Sequence, residues 1–294
     1  MASGELAKRV AVAAVGIPLA VVLLHRGGWV LGVVLAAIAA GGALEFYALA
    51  AARGVRAFRY VGAALAGALV LLAVAYEVPA AAAACQSAAV LTTVLAVGIA
   101  SLRLRGVDGS PLAACAITVF GAVFVGATLA FAVFLRNLSP VVANETNAAW
   151  AGASLVAYPL AIVWVGDTLA YFCGRRWGRH KLSPISPKKS VEGAVAGFVG
   201  SVAAGALVGW LVFDLWLGVP IGVGVAALGG ALIAPIAQAG DLAESLFKRE
   251  AGVKDSGNIL PGHGGVLDRF DALFYALPVA WVYLALIVPR LQDS

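Results

Sequence analysis

Apolar runs of about 17 to 25 residues recur along the whole chain, the length an α-helix needs to cross about 30 Å of hydrocarbon. Only short polar or basic punctuation separates them. An unpaired backbone N–H or C=O is costly in lipid, so such runs form helices that close their hydrogen bonds internally. Charged residues make up 12% of the 294 positions and hydrophobic ones 62%, against roughly 25% charged in soluble domains. A water-soluble globular enzyme is excluded, and the number of runs argues against a cleavable signal peptide as the main membrane signal. The expected fold is all-α, a polytopic integral membrane protein with about nine transmembrane helices. They fall at roughly 9–24, 29–52, 60–77, 80–101, 112–135, 150–173, 191–213, 218–246 and 266–289.

Basic residues orient such a chain, because short cytoplasmic loops are enriched in Lys and Arg. With the amino terminus cytoplasmic and an odd number of spans, 17 of the 20 basic residues fall inside, leaving Arg26, Arg136 and Arg290 outside. Glycines such as Gly121, Gly126, Gly200 and Gly205 read as packing seams, since small residues let helix backbones approach in lipid. Cys85, Cys115 and Cys173 lie in or beside apolar runs without metal-ligand spacing, and read as small core residues. Asn144, Glu145 and Thr146 form a three-residue glycosylation pattern that is weak by itself.

The polar content divides the chain near residue 150. Residues 1–149 read as amino-terminal transmembrane helices for packing and dimer contacts, and residues 150–294 as a catalytic membrane region with cytoplasmic loops. Before the division Glu45 is the clearest carboxylate within a span, and it reads as an ion pair with Arg53 or Arg56 or as a snorkelling side chain. After it, Asp167, Asp241, Glu244, Asp268 and Asp271 lie in or at the ends of spans. Carboxylates at such depth are costly unless paired or metal-bound, which makes the cluster a candidate site.

Charge is densest from Asp241 to Asp271, where Glu244, Glu250, Asp255 and Asp268 mix with Lys248, Arg249, Lys254, His263 and Arg269. Asp241, Ser245 and Lys248 share one helical stripe, and Asp268 and Asp271 share another, so the stretch reads as two helix ends joined by a loop. Oxygen-only donors suit a hard cation such as Mg²⁺, which takes one or two carboxylates and completes its shell with water and phosphate oxygens. With only His263 nearby, a zinc site is not expected. Two loops, SPISPKKS at 183–190 and PGHGG at 261–265, combine basic residues with Gly, Ser and Pro in a way that suits phosphate binding. Together these features point to phosphoryl or nucleotidyl transfer on a lipid. A transporter using the carboxylates as an ion path stays open.

Ser245, Lys248, Arg249, Lys254, Asp255, Gly257, Leu260, Pro261, His263, Gly264, Gly265, Asp268, Arg269 and Asp271 stand at the spacing of one known signature. It resembles that of the phosphatidate cytidylyltransferase (CDP-diacylglycerol synthase) family. Asp167, Ala170, Tyr171, Gly174, Gly178, the segment 181–190, Glu192 and Gly193 also look like this family, with Arg179 and Ser190 as mild departures. The likeness is strong over roughly 160–271; earlier residues match only as a hydrophobic multi-span region.

The resemblance implies a homodimeric inner-membrane enzyme with its site facing the cytoplasm. It would make CDP-diacylglycerol and pyrophosphate from CTP and phosphatidate with Mg²⁺, a second, monovalent cation such as K⁺ in a paired site, and no nucleic acid. By position, Asp241 and Asp268 become metal ligands, with Asp271 a third candidate, and Ser245, Lys248 and Arg249 lie beside them as catalytic residues. The expected substrate contacts are Ser186, Lys188, Lys189, Ser190, Lys254, His263, Gly264, Gly265 and Arg269. The competing reaction is a CTP-dependent, polyprenol-type lipid kinase, which would release CDP.

Overall fold

The computed structural model describes residues 3–76, 78–138, 147–219, 221–257 and 264–292. His263, Pro261, Leu260 and the Asn144 pattern lie outside these residues. The described residues form nine helices and no strand: α1 Ser3–Arg26, α2 Gly28–Ala52, α3 Arg59–Ala75, α4 Pro79–Leu104, α5 Pro111–Arg136, α6 Ala148–Trp177, α7 Val191–Leu217, α8 Val223–Glu250 and α9 Leu267–Leu291. The chain is an all-α polytopic membrane protein. Seven of the helices are long and apolar enough to span a bilayer; the other two runs, Gly16–Arg26 and Arg59–Ala75, are shorter. At 1.5 Å per residue a 17-residue helix reaches about 26 Å, just under the hydrocarbon thickness.

Helix starts follow local chemistry. Pro79 and Pro111 occupy the first turns of α4 and α5, where the missing N–H costs nothing. Ser190 caps α7, its Oγ accepting the Gly193 N–H at 3.1 Å. Three helices tolerate short π-helical segments, Val123–Ala127 in α5, Gly209–Leu217 in α7 and Tyr283–Ile287 in α9.

The chain divides into two compact units, Met1–Val133 with Phe247–Phe270, and Phe134–Leu246 with Asp271–Ser294. In the first, Phe46, Phe120 and Phe124 pack around Phe247 from the last turn of α8, at ring separations of 6.0, 6.4 and 6.2 Å. Gly126 lies against the Ala66 backbone of α3, where an added Cβ would come within 2.5 Å of the carbonyl oxygen.

In the second unit, α6 and α7 meet along a seam of small residues. A Cβ on Gly193 would lie 2.7 Å from the Ala170 carbonyl oxygen, and one on Gly197 would lie 2.8 Å from that of Gly166. Backbones this close are the arrangement small residues permit in membranes. Tyr158 and Tyr283 then tie α8 down, donating to the carbonyls of Ala226 and Val225 at 2.5 and 2.6 Å.

The α3–α5 seam gives the first prediction. Gly126→Leu must displace backbone rather than a flexible side chain, at a cost above the usual 1–3 kcal/mol of overpacking. The unfolding temperature in detergent should drop sharply, whereas Gly98→Leu, with open space around it, should leave it unchanged.

Candidate active site

Residues 178–190 join α6 to α7 as a tight loop held by its own backbone. Leu182 N–H donates to Lys189 O at 3.0 Å, Val191 N–H to His180 O at 2.9 Å and Lys189 N–H to Ser186 O at 3.0 Å. Glu192, in the first turn of α7, accepts the Arg179 N–H at 3.1 Å and the His180 N–H at 3.3 Å. The loop therefore presents Lys188 and Lys189 from a fixed frame.

Those lysines line a cavity of about 680 Å³ within the second unit. Asp167, Tyr171 and Arg175 come from α6, Gly193 and Ala194 from α7, Gln238 and Asp241 from α8, and Ser186 and Ser190 from the loop. Lys189 Nζ is paired with Asp241 Oδ2. Gln238, which sequence reasoning passed over, donates to the Ala194 carbonyl at 3.1 Å and so braces α8 against α7. Ser190 spends its acceptor on the helix cap, which leaves its O–H proton for another partner.

The other charged cluster belongs to the first unit and is closed. Asp268 receives Lys248 Nζ on Oδ1 at 2.6 Å, and the N–H groups of Ser256 and Gly265 on Oδ2 at 2.8 and 2.9 Å. Ser256 Oγ lies 2.8 Å from Glu45 Oε2 and 3.0 Å from Asp268 Oδ2, and its single proton serves one of them. Glu45 also accepts the N–H groups of Val266 and Leu267, both at 2.9 Å.

The expectation of an arginine partner for Glu45 is thus corrected: its carboxylate, 5% exposed, caps the start of α9. Backbone N–H groups at a helix start are preset donors for a carboxylate, whereas an arginine would have to order a long side chain. Ser256 and Glu45 could not be found by pattern, because 211 residues separate them.

Gly264, at φ +79°, makes the turn before α9. The neighbouring Gly265 N–H, expected to approach a phosphate, is given to Asp268 instead. Arg249 is exposed and donates to Val253 O at 3.0 Å, and Lys254 and Arg269 are exposed. Ser245 is half-buried on α8, and Asp271, half-buried on α9, belongs to the second unit.

Exposure separates the two lysine–carboxylate pairs. Lys189 and Asp241 are 29% and 26% exposed, towards the cavity, whereas Lys248 and Asp268 are 11% and 8% exposed. Among the described residues no group of three or more His, Cys, Asp or Glu side chains could hold a metal. The cavity carries two carboxylates, Asp167 and Asp241, which fits a Mg²⁺ ion that draws its other ligands from water and phosphate. Asp268 Oδ2 already accepts the Ser256 and Gly265 N–H groups, and Oδ1 accepts Lys248.

These features define a class: a membrane-embedded protein with a carboxylate- and lysine-lined cavity suited to phosphate chemistry. Comparison with known proteins narrows it, for the chain belongs to the cytidylyltransferase family, whose sequence pattern matches residues 7–287. It is 42% identical over 142 residues to a phosphatidate cytidylyltransferase of Synechocystis sp., covering 48% of this chain and 47% of that protein. A protein of the same name from Staphylococcus aureus strain COL is 42% identical over 135 residues, 45% of this chain and 50% of its own. That of Staphylococcus saprophyticus is 43% identical over 134 residues, with the same coverage. The chain spans about half the length of the curated relatives it matches.

The Glu45 lock yields a second prediction. Glu45→Ala leaves the Val266 and Leu267 N–H groups without their acceptor, at about 1–3 kcal/mol for a buried group, while Ser256 Oγ can still donate to Asp268. Hydrogen exchange of the Val266 and Leu267 amides should accelerate by orders of magnitude, and Glu45→Gln, which keeps one acceptor oxygen, should lie between.

Proposed function

We propose that the chain transfers the cytidylyl group of CTP to phosphatidate, forming CDP-diacylglycerol and pyrophosphate. The observation that carries this reading is the cavity of the second unit, where Lys188, Lys189 and Arg175 face Asp167 and Asp241 among apolar helices. Family membership and the relatives' names support the same reaction. A phosphatidate phosphate oxygen attacks the α-phosphorus of CTP in line; the new P–O bond forms as the bond to the β-phosphate oxygen breaks, and pyrophosphate leaves. The attacking monoester carries close to two charges at pH 7 by analogy with phosphorylated side chains, so it needs no dedicated base.

Lys188, Lys189 and Arg175 bring together two anionic reactants that would otherwise repel each other, so catalysis here is chiefly positioning and charge neutralisation. Asp167 and Asp241 would hold Mg²⁺, which supplies Lewis-acid stabilisation of phosphate oxygens when bound. Lys189 neutralises Asp241 when no other cation does so. Ser186 and the Ser190 hydroxyl proton are further phosphate donors. Arg249, Lys254, Arg269, His263 and Gly264 are further proposed phosphate partners, and Ser245 a further proposed catalytic residue. A metal role for Asp268 or Asp271, a second monovalent cation and a homodimer belong to the proposal too. The bias of 17 basic residues in 20 supports a cytoplasmic amino terminus and site, and bacterial relatives support the cell membrane.

Purified protein with CTP, phosphatidate and Mg²⁺ should release pyrophosphate and CDP-diacylglycerol in equal amounts; release of CDP instead would make it a lipid kinase. Asp241→Asn should lower turnover about 100-fold or more without changing its elution as a folded particle, and near-normal turnover would remove Asp241 from the site. Lys188→Cys in a cysteine-free background should react with an impermeant thiol reagent only after cells are opened. Labelling of intact cells would reverse the orientation.

A further inference from the structure

A second cavity, of about 800 Å³, lies in the first unit and shares no residue with the one just described. It is built where α2 ends, α3 begins and α4 ends, with Leu44, Ala48, Ala51, Val61 and Leu104 as an apolar wall. Arg56, Arg59 and Arg105 also line it, and no carboxylate does.

Loop arginines on a membrane protein ordinarily extend into water, where positive-inside bias alone explains them. Arg59 and Arg105 are placed differently. Arg59 lies over the Tyr60 ring at 4.6 Å and Arg105 over the Phe58 ring at 4.9 Å, so each guanidinium has an aromatic face behind it. Arg105 reaches the Ala57 carbonyl at 3.4 Å through one terminal nitrogen, while its Nε is buried with no hydrogen-bond partner among the described residues. The loop beneath is tied down through Thr118, whose Oγ1 accepts the Phe58 N–H at 2.8 Å and whose carbonyl accepts the Tyr47 O–H at 2.7 Å. Three cations thus line a cavity whose remaining wall is largely apolar and aromatic.

We propose that this cavity binds an anionic phospholipid, its phosphate taken by Arg56, Arg59 and Arg105 and its acyl chains laid along Leu44, Val61 and Leu104. Guanidinium forks match phosphate oxygens two at a time. The uncompensated positive charge selects an anionic head group over a zwitterionic one. The apolar wall selects a lipid over free phosphate.

The test uses the full chain, delipidated in a non-ionic detergent, with thermal unfolding as the readout. The probes are dihexanoyl phosphatidylglycerol, dihexanoyl phosphatidylcholine and sodium phosphate. Phosphatidylglycerol should stabilise the protein saturably, and phosphatidylcholine and sodium phosphate should not. The double variant Arg56→Gln/Arg59→Gln changes two exposed side chains, and should raise the phosphatidylglycerol midpoint at least tenfold with the ligand-free unfolding temperature unchanged. Val61→Trp, which fills the apolar wall, should weaken binding independently. Lys188→Gln, in the other cavity, should leave the midpoint where it was.

An equal response to phosphatidylcholine or to sodium phosphate overturns the assignment. So does an unchanged midpoint in both cavity variants, or loss of the effect in Lys188→Gln. No CTP and no turnover enter the measurement, so its outcome is separate from that of the proposed reaction.

Discussion

A carboxylate placed among apolar helices must have its charge met by donors close at hand, and the arrangement of this protein around its acidic residues follows from that. Removing one partner of a buried pair costs several kcal/mol, because the remaining charge is left in a medium that cannot solvate it. Glu45 meets the requirement with the N–H groups that open α9 and with Ser256. Asp268 meets it with Lys248, Ser256 and Gly265. Their joint effect is to pin the loop after α8 to α2 and to set where α9 starts. The conspicuous charge of that stretch is therefore partly architectural.

Asp241 solves the same problem in a different way. Its partner Lys189 comes from the loop between α6 and α7, and both side chains open to a cavity. The ammonium on Asp241 is reachable from the cavity, whereas the one on Asp268 is largely buried. Two pairs that look alike in composition thus differ in exposure. α6 and α7 approach closely through Gly166, Gly193 and Gly197, where an added Cβ on Gly193 or Gly197 would lie under 3 Å from a backbone oxygen of α6.

Much of the fold was legible in residue patterns. Among the described residues the nine apolar runs fall on nine helices, seven of them long enough to cross a bilayer, because in lipid a run of that length has no other way to satisfy its backbone. The lysines, serines and Asp241 of the second-unit cavity were also legible, since basic residues with Pro and Ser in one loop and a carboxylate within an apolar helix stand out against an alanine-rich background. Glu45 was misread, as local sequence suggested Arg53 and Arg56 while its partners lie more than 200 positions away. Gln238 carried no signal at all, being one polar residue in a helix with several. The Gly265 N–H goes to Asp268, and sequence does not tell which acceptor a turn will find first.

Hydropathy, charge bias and the signature spacing by themselves determine an all-α membrane protein and its family, because each depends on residues close in the chain or on composition alone. Only the tertiary structure decided which carboxylates are locked and which are reachable, and that three separate helix ends gather Arg56, Arg59 and Arg105 around one apolar cavity. Those outcomes depend on which distant donors arrive beside a given charge, and burial, the quantity that sets their energy, exists only once the helices have packed.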